Sequence, residues 1–348
     1  MIFHMLEEIR QQPDVIRSII DDQLDRVQIL AQAIRSRGII YAYIAARGTS
    51  DHAAIYAKYL LETQLQMPVA LAAPSVLTVY GAVPHFGPHC LVIGVSQSGA
   101  GPDVVAVVRR ARETGTLTAC ITNEPDSELA STAEFPLFIG AGLERSVAAT
   151  KTYTGSLALF ALLAAVMESD QSAMLADMRK AADDMDKVIG LSETLHRLAG
   201  EFRDLTDCVV LARGYNQCTA SEIALKLTET CYVGAKAYSA ADFQHGPIAQ
   251  VYSGFPIFLF APDGKAFPSV AEVAARLRLQ SARLLTFAHS PSMCDESALS
   301  LPMPANVPEW ISPLVYAVAG QLIAYWIAVE RGNNPDMPRN LRKVTRTL

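Results

Sequence analysis

Short apolar runs alternate along this chain with longer stretches in which apolar residues recur at three- and four-residue steps. "CLVIG" at 90–94 is one such run, and "VVAVVRRARE" at 104–113 is one such stretch. Runs of four to six residues separated by amphipathic helical segments are what a parallel sheet with crossover helices requires.

The pattern occurs twice. "YIAARGTSDHAA" at 43–54 and "VVLARGYNQCTA" at 209–220 both read as an apolar strand, then Arg-Gly, then a polar loop opening a helix, and Arg47 and Arg213 lie 166 positions apart. The same offset carries "PVALAAPS" from 68 to "GAKAYSAADF" at 234, and "LVIGV" from 91 to "IFLFA" at 257. It also carries "LTACITNEP" from 117 to "RLLTFAHSP" at 283, and "FPLFIG" from 135 to "LPMPAN" at 301. Similarity at a fixed offset marks repeated units. The pattern therefore predicts an α/β protein of two tandem, doubly wound parallel-sheet domains, three-layer αβα sandwiches related by internal duplication. The expected order is a helical segment at 1–27, a first sandwich at 28–167, a helical connector at 168–199, a second sandwich at 200–335 and a C-terminal tail at 336–348.

Composition narrows the function. With 51% hydrophobic and 18% charged residues, the chain has ample apolar surface for a core and a subunit interface, so disorder is excluded. A net charge of -6 without any basic run argues against nucleic acid or anionic lipid as partner. The six cysteines form no CxxC pair and sit mostly in apolar runs, which predicts buried, reduced thiols and a cytoplasmic protein. The opening "MIFHMLEEIRQQPD" has charges where an export signal needs its apolar core. Residues 311–329, "ISPLVYAVAGQLIAYWIAV", match a membrane span in length, but Pro313, Gly320 and Gln321 interrupt them, so a buried globular helix is expected.

Ligands of open parallel sheets collect where strands end and helices begin. "GVSQSGAGPD" at 94–103 is in that place. Ser96, Gln97 and Ser98 offer side-chain donors, Gly99 and Gly101 let the backbone approach closely, and Pro102 suits a first helical turn. Free N–H groups and the helix dipole then favour an anion, so the loop reads as a phosphate cradle or, more simply, as a capped turn with solvated serines. In "ARGTSDH" at 46–52, Thr49 and Ser50 can bond polyol hydroxyls while Asp51 caps the next helix. "ASEIALKLTETCY" places Glu222, Lys226 and Glu229 on one helix face, either a surface ion pair or a partly buried group suited to moving protons. His245 in "DFQHGP" is a structural histidine or an acid and base. Lys343 lies in the polar tail, a frayed end or an amine able to meet a carbonyl. No cluster with metal-ligand spacing occurs, and no cofactor is expected.

Taken together, "ARGTS", "SQSG", "SVAATK", "EIALKLTE", "QHGPIA" and "MPRNLRKVT" resemble, in order and spacing, the isomerase half of glutamine–fructose-6-phosphate aminotransferase and the stand-alone deaminases built of sugar isomerase (SIS) domains. The resemblance implies two SIS domains in a homodimer. It implies that Ser96, Gln97 and Ser98 hold a sugar phosphate, with Gly48, Thr49, Ser50, Val147 and Arg342 contributing to the same ligand. Glu229 would then move a proton between C1 and C2, assisted by Lys226, His245 from across the dimer interface would open the ring, and Lys343 would form a Schiff base or orient the carbonyl. The resemblance also assigns closure of the active site to the tail at 336–348.

The departures from the family pattern are Ala100 and Gly101, where Glu-Thr usually follows "SQSG", and Ala149, where serine is usual. No glutaminase domain precedes the pair, and the chain begins Met1, Ile2 without a cysteine nucleophile, so no glutaminase activity is expected. The activity implied is aldose–ketose isomerisation of an amino sugar 6-phosphate with ammonia release. Ammonia-dependent synthesis, deglycation of a fructosamine phosphate, and a non-catalytic sugar-phosphate sensor are the alternatives. A sensor could dispense with Glu229, His245 and Lys343.

Overall fold

The computed structural model describes residues 3–295 and 299–343. Met1, Ile2 and residues 344–348, which belong to the N-terminal segment and tail expected from the sequence, lie outside the described residues. Two five-stranded parallel sheets form, each flanked by helices. The first contains β1 (Tyr41–Ala45), β2 (Val69–Leu71), β3 (Cys90–Val95), β4 (Leu117–Thr122) and β5 (Phe135–Phe138) in the order β2-β1-β3-β4-β5. The second contains β6 (Asp207–Ala212), β7 (Gly234–Ser239), β8 (Pro256–Ala261), β9 (Arg283–Ala288) and β10 (Leu299–Pro302) in the order β10-β9-β8-β6-β7.

Read from β7, the second order repeats the first. The offset of 166 maps β3 onto β8 and β4 onto β9 residue for residue, and it places β1 and β2 inside β6 and β7. Only the last strand slips: β10 begins at Leu299, two positions before the counterpart of Phe135. Both sheets are doubly wound. Because crossovers are right-handed and the order reverses beside β1, helix Thr49–Gln64 (joining β1 to β2) and helix Pro102–Glu113 (joining β3 to β4) cover opposite faces.

The central strands are buried on both faces, which is why "CLVIGV" and "LTACIT" read as continuous apolar runs and not as alternation. Val104, Val107, Val108 and Ala111 of the Pro102–Glu113 helix pack against Cys90, Val92 and Cys120. In the second sheet Val270, Val273, Ala274 and Leu277 pack against Ile257, Leu259 and Leu284 in the same way.

The chain divides into two compact units, one made of Asp14–Glu144, Lys151–Arg179 and Leu341–Leu348, the other of Met1–Pro13, Arg145–Thr150 and Lys180–Asn340. Each contains one sheet. The segments 1–27 and 168–199 are mostly helical where described, with short breaks such as residues 168–170, and each falls partly in one unit and partly in the other. Helix Ser312–Glu330 is long and apolar enough to cross a membrane, yet 89% of its most apolar window is buried inside the protein. None of the six cysteines is in a disulfide; five are buried, and Cys294 is partly exposed.

Candidate functional site

In the unit that holds the first sheet, the loops after β1 and β3 lie side by side, because those strands pair with Ala45 opposite Gly94. This is the point where strand order reverses. The Ser96–Gly101 loop is fixed to the end of β4: Ser96 N–H donates to the Ile121 carbonyl (3.0 Å), while the Gln97 carbonyl accepts from Asn123 N–H (3.0 Å) and Thr122 Oγ1 (3.2 Å). Gly99 has φ of +59°, and a Cβ there would fall 2.1 Å from Ser127 Oγ. Only glycine fits that position.

The two serines face their own loop. Ser96 Oγ accepts from Gly99 N–H at 3.2 Å and Ser98 Oγ from Ala100 N–H at 3.4 Å. Each hydroxyl keeps its own hydrogen to donate. Helix Pro102–Glu113 follows with Pro102 in its first turn and Gly101 at its N-cap, so the dipole's positive end points into the loop. Asp103, 1% exposed, takes Arg47 Nε on Oδ2 at 2.6 Å, which ties the first loop to the second. Gly48 (φ +54°) is the N-cap of helix Thr49–Gln64, with Thr49 and Ser50 partly exposed in its first turn. Asp51 is therefore not the cap expected from the sequence: it sits inside the first turn, where its N–H donates to the Gly48 carbonyl at 2.9 Å, and burial raises its carboxyl pKa.

Lys343 is not a frayed end. Its Nζ donates to Glu144 Oε2 at 2.6 Å, and the Glu144 carboxylate, fully buried, also accepts from Thr152 N–H (3.1 Å) and Oγ1 (2.7 Å). Arg342 beside it is exposed.

In the other unit, helix Gln217–Cys231 carries the charged face. Lys226 is 0% exposed, with Nζ 3.2 Å from Glu222 Oε1 and 2.7 Å from Glu229 Oε2. Burial pulls the Lys226 pKa down, but attraction to Glu222 and Glu229, with hydrogen bonds to both, outweighs it and raises the value overall. Glu222 is as buried as the lysine, whereas the Glu229 side chain keeps 20% exposure. A buried ammonium thus orients one carboxylate that solvent or a ligand can reach. The surface-pair reading of this motif is excluded.

His245 stands exposed just beyond the short helix Ala240–Phe243, its N–H donating to the Asp242 carbonyl at 3.0 Å. Val147 belongs to this unit too, its N–H on the Asp336 carbonyl at 3.1 Å. The structure thus joins Gly48, Thr49 and Ser50 with Ser96, Gln97 and Ser98 in one unit, and Lys226 with Glu229 in the other. Sequence reasoning did not find Asp103 or Glu144 and left Glu222 outside the site. The available signal was a lone acidic residue among small or apolar neighbours, as in "GAGPDVV" and "GAGLERSV".

The SIS domain model matches the chain at residues 41–166 and again at 201–331. The chain is 32% identical over 343 residues to glutamine–fructose-6-phosphate aminotransferase (isomerizing) of Pyrococcus horikoshii, covering 97% of the chain and 57% of that relative. Among solved structures, the C-terminal domain of glucosamine-fructose-6-phosphate aminotransferase from Francisella tularensis superposes with a TM-score of 0.88 at 24% identity, covering 97% of this chain and 99% of that one. Glucosamine-6-phosphate deaminase from Thermotoga maritima shares the fold, with a TM-score of 0.74 at 20% identity and coverage of 99% and 100%.

Proposed function

From the premise that this chain belongs to the SIS family, homologous to the isomerase half of glutamine–fructose-6-phosphate aminotransferase, we propose that it is an isomerase acting on an amino sugar 6-phosphate and releasing ammonia. Ser96, Gln97 and Ser98 hold the phosphate through hydroxyl and backbone donors, with Gly48, Thr49, Ser50 and Arg342 of the same unit around the same ligand. Binding remote from the reacting carbons then orients them. His245, supplied by the second copy of a homodimer, moves the proton that opens the ring. Glu229 takes the proton from C2 as O1 takes one up, giving an enolamine, and returns it to C1 as the nitrogen releases one, giving a C1 hydroxyl and a C2 imine. Water adds to the imine carbon, the C–N bond breaks, and ammonia leaves with fructose 6-phosphate as the other product.

The observation that carries this reading is the Glu222–Lys226–Glu229 array, in which the buried ammonium fixes Glu229 as the one partly accessible carboxylate. Two carboxylates sharing one buried lysine is an arrangement a passive ligand sensor does not need. Lys343, held as an ammonium donor by Glu144, serves here to orient the sugar carbonyl. Schiff-base formation would require its proton to leave first, and Glu144 is the acceptor in place.

The test is incubation of the protein with glucosamine 6-phosphate, following ammonia and fructose 6-phosphate, which are expected in equal amounts. Glu229→Gln is expected to lower kcat by about 10²- to 10⁴-fold with the fold intact, the range for a lost general base. Wild-type turnover in Glu229→Gln would overturn its role, and no product from glucosamine 6-phosphate would overturn the substrate.

A further inference from the structure

The duplication lets the two strand-end loops be compared position by position, and in the second sandwich the corresponding loop is already occupied. The offset that maps β3 onto β8 takes Ser96 to Pro262, Ser98 to Gly264, Gly99 to Lys265, Ala100 to Ala266 and Pro102 to Pro268. Both hydroxyl side chains disappear. The helix that follows, Phe267–Leu279, again has proline in its first turn, so its backbone presents the same anion-attracting end. Against it stands a carboxylate: Glu309 Oε2 accepts from Lys265 N–H at 2.7 Å and Glu309 Oε1 from Ala266 N–H at 3.0 Å. In the first sandwich the equivalent N–H groups, of Gly99 and Ala100, are those bonded to Ser96 Oγ and Ser98 Oγ.

The fit is steric as well as electrostatic. Gly264 has φ of +145°, and a Cβ there would lie 2.3 Å from Glu309 Oε2 and 2.7 Å from its Cβ, so a serine in this place and Glu309 exclude each other. Gly214, from the loop after β6, closes the other side; a Cβ there would come 3.8 Å from Glu309 Oε1. Glu309 therefore sits at the strand-order reversal of the second sheet, between the loops that follow β6 and β8. By the same offset its counterpart is Leu143, an exposed residue, and the neighbouring Glu144 is engaged with Lys343 and Thr152. At that position the first sandwich carries an apolar side chain in place of the carboxylate.

We propose that Glu309 is the built-in occupant of the anion site of the second sandwich, standing where the first sandwich takes a phosphate, and that it limits each chain to one sugar phosphate. The assignment rests on the reading of Ser96–Gly101 as the phosphate loop. Its physical content is charge exclusion: an anion entering the second loop would have to displace a carboxylate bonded to two backbone donors. Replacing Glu309 by a small neutral residue uncovers those donors.

The experiment measures binding of inorganic phosphate by equilibrium dialysis to four proteins: wild type, Ser96→Ala/Ser98→Ala, Glu309→Ala, and the triple variant. Wild type is expected to bind one phosphate per chain, and the double serine variant to bind it about tenfold more weakly, the cost of a charge-assisted hydrogen bond. Glu309→Ala is expected to bind two, and the triple variant to recover one at the second loop. Should Glu309→Ala bind no more phosphate than wild type, the inference is overturned. Equal binding by wild type and the double serine variant would instead overturn the phosphate reading of the first loop, while Glu309→Ala still decides the second. If Glu309→Ala does not fold, Glu309→Ser in the double serine background replaces it, read by thermal melting: millimolar phosphate raises the midpoint of this protein more than that of its parent. Equal midpoint shifts would overturn the proposal.

Discussion

At the scale of the residue, the anion loop is decided by where hydroxyls are and are not. Gly101 stands at the N-cap of helix Pro102–Glu113 with an extended backbone (φ -70°, ψ 110°), a conformation any residue adopts. A Cβ there would meet nothing closer than 3.6 Å. The departure from the family's threonine is thus chemical and not steric, because the space for a side chain is present. Gly101→Thr is expected to be stable, raising the melting midpoint slightly since threonine caps a helix about as well as glycine or better. It is also expected to tighten phosphate binding by about tenfold, one added hydrogen bond to a charged group. Calorimetric titration with fructose 6-phosphate checks this, and unchanged affinity would place the phosphate away from Gly101. Gly99, two residues earlier, admits no such change: its left-handed backbone and the nearby Ser127 hydroxyl leave no room for a side chain.

At the scale of the element, the charged face of helix Gln217–Cys231 is held by its packing on helix Ser312–Glu330. The contact is made close by Gly320, where a Cβ would fall 2.3 Å from Ile223 Cγ1 and 3.1 Å from Phe260 Cζ. Ile223 is the residue after Glu222, so a change in helix spacing is transmitted to the carboxylates around Lys226. Gly320→Ala is expected to destabilise the protein by about 1–3 kcal/mol, the range for overpacking, measured by urea unfolding. It is also expected to lower kcat more than it changes KM, since it moves proton-handling groups and leaves the phosphate loop alone. Gly320 reads in the sequence as an interruption of an apolar helix; the structure gives it a purpose, the close approach of two helices. Gln321 next to it bonds the Thr150 carbonyl through Nε2 at 3.4 Å, so a polar residue that argued against a membrane span has an internal partner.

At the scale of the whole molecule, buried groups that must remain protonated set the behaviour at high pH. Burial pushes the thiol of Cys90 up to about 11 and those of Cys120 and Cys231 up to about 12, and it raises Cys208 as well. The unfolded chain releases these protons from about pH 8.5 upward, so native protein binds more protons than unfolded protein above that pH and stability falls. Lys226 acts in the same direction. Its raised pKa gives stability that is complete below about pH 10.4, the unfolded lysine value, and is lost above it. The melting midpoint is therefore expected to decline continuously from about pH 9 toward pH 12. A midpoint constant between pH 9 and 11 would contradict the burial of these groups, and thermal melts across that range decide it.

By itself the sequence determined the fold class, the duplication and the places of the strands, because a buried parallel strand is recorded locally as an apolar run and a crossover helix as a three- and four-residue step. β3 and β8, or β4 and β9, could be aligned by counting alone. The serine loop was legible for the same reason, its glycines and proline being consequences of backbone geometry within a few residues. What only the tertiary structure decided is which charges meet. Lys343 finds Glu144 across 199 positions, Arg47 finds Asp103 across 56, and Glu309 reaches the Lys265 backbone across 44. No local periodicity encodes such pairs. They form because a charge removed from water needs a partner, and the identity of that partner is set by which loops the sheet order brings together.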